Sequence, residues 1–258
     1  MPTLSFADLS TLVLAWLPVA AVFVLAGVVK GVVGLGLPTI SMALLALFMP
    51  PAEAAALLVV PSLVTNLWQL RPWHTLTPLL RRLAPMQAGV AAGTLAGGWA
   101  FGAPAGALAM LGLGLALIAY GLWALAGARW AVAPRQQRWL GPLLGALTGG
   151  VTAATGVFVL PAVPYLQGLG LQRDELIQAM GISFTVSTVA LGLALLLNGR
   201  YPGAAAGASL LMLLPALAGM ALGQALRHRL SPALFRRCFM GSLILLGLHM
   251  VVREVLAG

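Results

Sequence analysis

One lysine stands inside the first apolar stretch of the chain. Lys30 lies in the run GVVKGVVGLG, flanked by Gly31, Gly34 and Gly36, and all other basic residues are arginines in loops or near the ends of apolar segments. An ammonium group at that depth in an apolar run is costly and calls for a cavity or a partner. The glycines next to it let backbone approach a ligand closely, and a helix interrupted there offers unpaired N–H groups to an anion. The chemistry that fits is electrostatic capture of a small anion. The competing reading is that Lys30 extends its stem to the cytoplasmic surface.

A second polar set, Ser62, Thr65, Asn66 and Gln69, follows helical spacing and shares one helix face. Its counterpart later in the chain is Ser183, Thr185, Ser187 and Thr188. Neutral hydroxyl and amide donors can orient a tetrahedral oxyanion without adding charge. The same residue types also tie membrane helices together by interhelical hydrogen bonds, which is the alternative for each one singly. Thr39 and Ser41 after the first glycine break, and Thr148, Thr152 and Thr155 around a second, are candidates to line the same cavity.

Other chemistries lack their residues. The five carboxylates, Asp8, Glu53, Asp174, Glu175 and Glu254, all fall at the ends of apolar segments. A carrier of metal cations or amines would keep one at its site, so cation substrates are disfavoured. Cys238 is the single cysteine, and no Cys or His spacing suits a metal. No phosphate-binding loop and no Ser/His/Asp arrangement is visible, so neither ATP hydrolysis nor another enzyme activity is expected, and no cofactor. His249 reads as a packed side chain rather than a proton relay, and Trp68, Trp73, Trp123, Trp130 and Trp139 read as interfacial anchors.

The elements that must position these residues follow from composition. Of 258 residues, 61% are hydrophobic and 7% charged, against about one-quarter charged in a soluble domain. So few charges cannot cover a water-facing surface, and lipid is the solvent implied. The net charge of +9 does not indicate nucleic acid, because the arginines punctuate apolar segments in the positive-inside pattern. The first segment is not expected to be a cleaved signal peptide, since no basic residues precede it.

Apolar segments run over 10–34, 37–49, 53–70, 83–101, 105–126, 139–154, 157–168, 175–197, 204–225 and 238–256. Spanning the hydrocarbon takes about 20 helical residues. Segments 37–49, 139–154 and 157–168 are short and lie beside Gly31, Gly34 and Gly36, or beside Gly149, Gly150 and Gly156, with Pro38 and Pro161 adding interruption. Such pairs suggest broken or re-entrant helices, one pair in each half. The fold class expected is an all-α polytopic membrane protein with about eight to ten membrane segments.

The halves resemble each other. GVVKGVVGLGLP from Gly27 matches GALTGGVTAATG from Gly145, and PPAEAAALLVVPSLVTN matches QRDELIQAMGISFTVST, setting Glu53 against Glu175 and Thr65-Asn66 against Ser187-Thr188. The division expected is a first repeat over 1–128, a basic cytoplasmic linker over 129–138 and a second repeat over 139–258. Positive-inside bias puts the loops with Arg71, Arg81 and Arg82, with Arg129, Arg135 and Arg138, with Arg173, and with Arg227, Arg229, Arg236 and Arg237 in the cytoplasm. If each broken pair enters and returns, both termini are periplasmic and the repeats are inverted.

The segments GVVKGVVGLGLPTIS and MPPAEAAALLVVPSLVTNLWQL, followed by DELIQAMGISFTVST, resemble the sulfite exporter TauE/SafE family. The likeness covers nearly the whole chain. It implies a multi-pass permease, often of eight helices, that exports sulfite, sulfonates or related organic anions. Motif matching carries over Lys30, Gly31, Gly34, Gly36, Pro38, Thr65, Asn66 and Gln69. The second half departs from the family pattern: it has TAATG where relatives often carry a more glycine-rich run.

The expectation is a secondary transporter that exports a small anion across a bacterial inner membrane, with a channel-like anion pore or an importer as alternatives. Its substrate-binding residues are expected to be Lys30, Gly34, Gly36, Thr39, Thr65, Asn66, Gln69, Thr155, Ser183, Thr185, Ser187 and Thr188. The partners expected are the anion, the lipid bilayer and a coupling ion such as a proton; the chain is compatible with a homo-oligomer, and no nucleic acid is expected.

Overall fold

The computed structural model describes residues 6–127, 130–201, 203–227, 229 and 231–257, without the side chains of residues 6–15, 232, 233 and 257. The two chain ends, and with them their expected periplasmic location, fall outside the described residues, as does Arg129. Among the described residues ten α-helices follow one another: α1 Phe6–Val33, α2 Leu37–Leu45, α3 Pro51–Trp68, α4 Leu76–Phe101, α5 Gly106–Ala126, α6 Pro134–Thr155, α7 Ala162–Gly168, α8 Arg173–Leu197, α9 Gly203–Leu226 and α10 Pro232–Ala257. The described residues form no strand. Six helices, α1, α3, α5, α8, α9 and α10, are long and apolar enough to cross a membrane. Large apolar side chains point outward, with Trp99 90% and Leu108 85% exposed. That surface suits lipid and not water. The chain is a multi-pass membrane protein.

Helix α6 is longer than the apolar segment 139–154 that marks it, although it is not one of the six. It has 22 residues and starts at Pro134, inside the stretch read as linker. Pro134 takes a first-turn position where its missing N–H costs nothing. The Gln136 side chain accepts a hydrogen bond from Ala133 N–H at 3.0 Å. Polarity in this first turn hides the helix from a hydropathy reading, although about 33 Å of rise is enough to cross the hydrocarbon.

One correction concerns the glycines. Gly31 and Gly149 lie within α1 and α6, not at breaks. A Cβ at Gly27 or Gly31 would fall under 3.0 Å from backbone of α9, and one at Gly219 or Gly223 would meet backbone of α1 at Val24 or Val28. Gly145 and Gly149 of α6 meet α4 backbone in the same way, and Gly89 and Gly93 of α4 meet α6. Each pair of helices thus interlocks through two glycines four residues apart on both sides. Between membrane helices, close backbone approach substitutes for a hydrophobic driving force. Helices α4 and α9 share the pattern, Pro85-Gly89-Gly93 against Pro215-Gly219-Gly223.

The true breaks are at Gly34–Gly36, where both glycines have positive φ (85° and 113°), and after Gly156, with φ 71°. Only glycine enters that region without a Cβ penalty. Short α2 and α7 follow these breaks.

Helix α3 packs across α8. Gly181 of α8 faces Gln69 near the end of α3, while Gly192 faces Val59 near its centre, so the two run antiparallel. Helix α5 runs antiparallel to α10 in the same way, Gly114 against Gly247 and Gly121 against Met240. Pro61 interrupts α3 and leaves the Leu57 carbonyl without its helical donor. The Ser209 hydroxyl of α9 donates to that carbonyl at 2.8 Å and accepts from Val60 N–H at 3.0 Å.

Candidate functional site

Lys30 is buried, only 3% exposed, in the last turn of α1. Its ammonium donates to the Asn66 side-chain oxygen in α3. The Asn66 amide donates in turn to the Thr188 hydroxyl of α8 at 3.3 Å, and Thr188 donates to Phe184 O at 2.6 Å. This chain of bonds joins both halves. Snorkelling to the surface, the alternative for Lys30, is not what the side chain does.

Lys30 also borders a cavity of about 410 Å³ lined by Gly31, Gly34, Trp68, Gln69, Arg71, Ile177, Met220, Gln224 and Arg227. The lining comes from α1 and α3 of the first half and from α8 and α9 of the second. Arg71 stacks over the Trp68 ring, 4.4 Å from its centroid. Among the described residues the cavity is lined by Lys30, Arg71 and Arg227 and by no carboxylate. A buried ammonium met only by a neutral oxygen is costly to hold in an apolar setting.

The glycine break borders this cavity. Gln69 donates to Gly34 O, pinning the break to the end of α3, while its own Oε1 is buried without a partner. Gly36 caps α2, whose first turn holds Pro38 and Thr39. The Thr39 hydroxyl is fully buried and unpartnered, as are those of Ser41, Ser62, Ser183 and Ser187.

This chain belongs to the sulfite exporter TauE/SafE family. The family model matches residues 19–250, nearly the whole chain, and describes membrane transporters. No curated protein and no solved structure matches the chain.

Within this TauE/SafE member the site residues named from sequence divide in two. Lys30, Gly34 and Gln69 border one cavity, and Asn66 touches it through Lys30. Four hydroxyls in the expected set bond backward along their own helices instead. Thr65 donates to Pro61 O at 2.7 Å, Thr155 to Val151 O at 2.7 Å, Thr185 to Gly181 O at 2.7 Å, and Thr188 to Phe184 O. A threonine inside a helix has this carbonyl always in reach. Their protons are committed, while Thr39, Ser183 and Ser187 stay free to donate.

The second break differs from the first. Val157, Phe158 and Val159 fill it and are fully buried, and Thr155 accepts from Val157 N–H at 3.2 Å. It is an apolar plug, and the Val157 carbonyl accepts from the Thr152 hydroxyl at 3.3 Å. In the repeat match the position of Lys30 is held by Thr148, which donates to Leu144 O at 2.7 Å. The cation is therefore contributed by the first half alone.

Gln178 was not among the expected residues. It is 1% exposed and donates to Leu70 O at 2.6 Å and Pro72 O at 2.9 Å, and its Oε1 accepts from Thr75 at 2.9 Å. It thereby fastens the loop carrying Arg71 to α8. An amide within the apolar stretch 175–197 was the available signal. His249, expected to be packed, is exposed along an apolar groove between α1, α2 and α10.

Proposed function

We propose that this protein is a secondary carrier that exports a small anion, such as sulfite, an organosulfonate or a related organic acid, across a bacterial inner membrane. The observation that carries this reading is the buried Lys30 ammonium, facing a cavity between the halves whose lining holds cations and no acid. A compact oxyanion supplies the missing charge. Asn66 and Gln69 hold the cation and the break in place, and the unpartnered hydroxyls offer donors further along the path.

The two halves act as inverted repeats. Supporting this, corresponding helices pack antiparallel (α3 on α8, α5 on α10), and α1 pairs with α9 as α6 pairs with α4. One end of the molecule gathers Phe48, Pro50, Gly106 and Arg253 around a shared cavity. The other gathers Arg71, Arg173, Arg227 and Arg236, which positive-inside bias assigns to the cytoplasm. The Lys30 cavity belongs to the arginine-rich end, where an exported anion would load. An inside-negative potential drives a monovalent anion outward by about 2.3 kcal/mol per 100 mV. No acidic proton relay at mid-membrane is needed for export.

The test is flux of sulfite and sulfoacetate in liposomes containing the purified protein. Lys30→Ala should lower flux at least about tenfold, and Lys30→Arg should retain part of it. Wild-type rates in both variants would remove Lys30 from the mechanism. Trans-stimulated counterflow of labelled anion supports a carrier; its absence with intact flux points to a pore.

A further inference from the structure

A second cavity, of about 250 Å³, abuts the Lys30 cavity and shares Gly34, Ile177 and Arg227 with it. Arg173 from the start of α8, Arg227 following α9 and Arg236 from α10 all line it, with Tyr120 of α5 and Gln167 of α7. No carboxylate does. As a sphere it is roughly 8 Å across, room for a compact oxyanion. Positive-inside bias explains why arginines occupy this side of the membrane. It does not explain why three from separate elements converge on one cavity with an amide and a phenol. Arg236 gives one N–H to Ala124 O at 3.2 Å and keeps its other donors.

We propose that this cavity is a second anion site, a cytoplasmic loading site that holds a compact oxyanion before it reaches Lys30. Arginine forks grip such an oxyanion bidentately, as an ammonium cannot. Arg227 borders both cavities and is the residue across which the anion passes from one to the other. The loading role rests on the anion-transport reading; the existence of the site does not.

The test is equilibrium binding of radiolabelled sulfite, and then sulfoacetate, to the purified full chain in detergent. Wild type should bind two anions per chain. Lys30→Gln should abolish one, and the double variant Arg173→Gln/Arg236→Gln the other. Arg173→Lys/Arg236→Lys preserves the charge that sets topology and should weaken only the loading site, about tenfold. One bound anion, lost in Lys30→Gln and untouched by every arginine variant, overturns the loading site and leaves the transport reading standing. One anion lost only in the arginine variants keeps the loading site and removes Lys30. No binding of either probe overturns both.

Discussion

The Asn66 amide donates to the Thr188 hydroxyl at 3.3 Å, and these two residues occupy matched positions in the two halves. They meet where α3 crosses α8. The side-chain oxygen left on Asn66 accepts from Lys30. One amide thus joins α3 to α8 and holds the only lysine of the chain.

Substituting Asn66 should separate these roles. Asn66→Asp places a carboxylate beside the ammonium and supplies internally the charge that an anion would bring. Sulfite binding and flux should fall at least about tenfold while folding is retained. Asn66→Leu leaves the ammonium without an acceptor and should cost about 1.5–3 kcal/mol of stability, read as a lower melting temperature in detergent. Thr188→Val removes two neutral bonds, one from Asn66 and one to Phe184 O, and should cost about 1–2 kcal/mol. Sulfite binding in Asn66→Asp equal to wild type would contradict the counter-charge role.

The interlocked glycines make a different prediction. Gly223→Ala puts a Cβ against the Val28 carbonyl of α1, and Gly149→Ala puts one against α4. Each should lower stability by about 1–3 kcal/mol, because backbone cannot yield as a side chain would. Gly150→Ala, next in sequence, meets nothing within 4 Å and should be neutral or gain up to about 1 kcal/mol of helix propensity. Fluorescence-detected melting of the three variants decides it; equal loss in Gly149→Ala and Gly150→Ala would refute specific packing.

Why some of this was legible in the sequence and some was not follows from these residues. Hydropathy marks segments, so ten stretches became ten helices. Charge type marks Lys30, because lysine is rare in lipid. Periodicity marks Asn66 and Gln69 but cannot say whether a hydroxyl faces a cavity or its own carbonyl, so Thr65, Thr155, Thr185 and Thr188 looked no different from Thr39. Glycine was ambiguous for the same reason. Gly34 breaks a helix and Gly31 packs one, and the distinction lies in the neighbouring helix, which periodicity does not reveal. Convergence of Arg173, Arg227 and Arg236 on one cavity is a tertiary fact, invisible when each is counted as a loop charge.

Ser209 and Pro61 should be energetically coupled. Ser209→Ala strips the buried Leu57 carbonyl of the donor that replaces the missing Pro61 N–H and should cost about 1–3 kcal/mol. Pro61→Ala restores an N–H four residues after Leu57, so the helix can satisfy that carbonyl itself. The double variant should then be less destabilised than the sum of the singles, with a coupling of at least about 1 kcal/mol. Strict additivity in a double-mutant cycle of melting free energies would show that Ser209 does not serve the kink.

Side-specific labelling tests the inverted arrangement directly. Cys238 is the only cysteine and is exposed, so Cys238→Ser gives a silent background. Phe48→Cys and Arg200→Cys probe the turns after α2 and α8, both at exposed positions; Trp73→Cys and Ala131→Cys probe the arginine-rich side. A membrane-impermeant maleimide applied to spheroplasts should reach the first two and miss the second two until the membrane is opened. Phe48 is the discriminating position. The nine residues of α2 rise only about 14 Å, less than half the hydrocarbon, so the chain can return to the outer side there only if α1 and α2 together form a broken pair that enters and comes back. Labelling of Phe48→Cys from the same side as Trp73→Cys would mean that α3 does not cross. Corresponding helices could then not lie in opposite senses across the bilayer, and the inverted repeat would have to be abandoned.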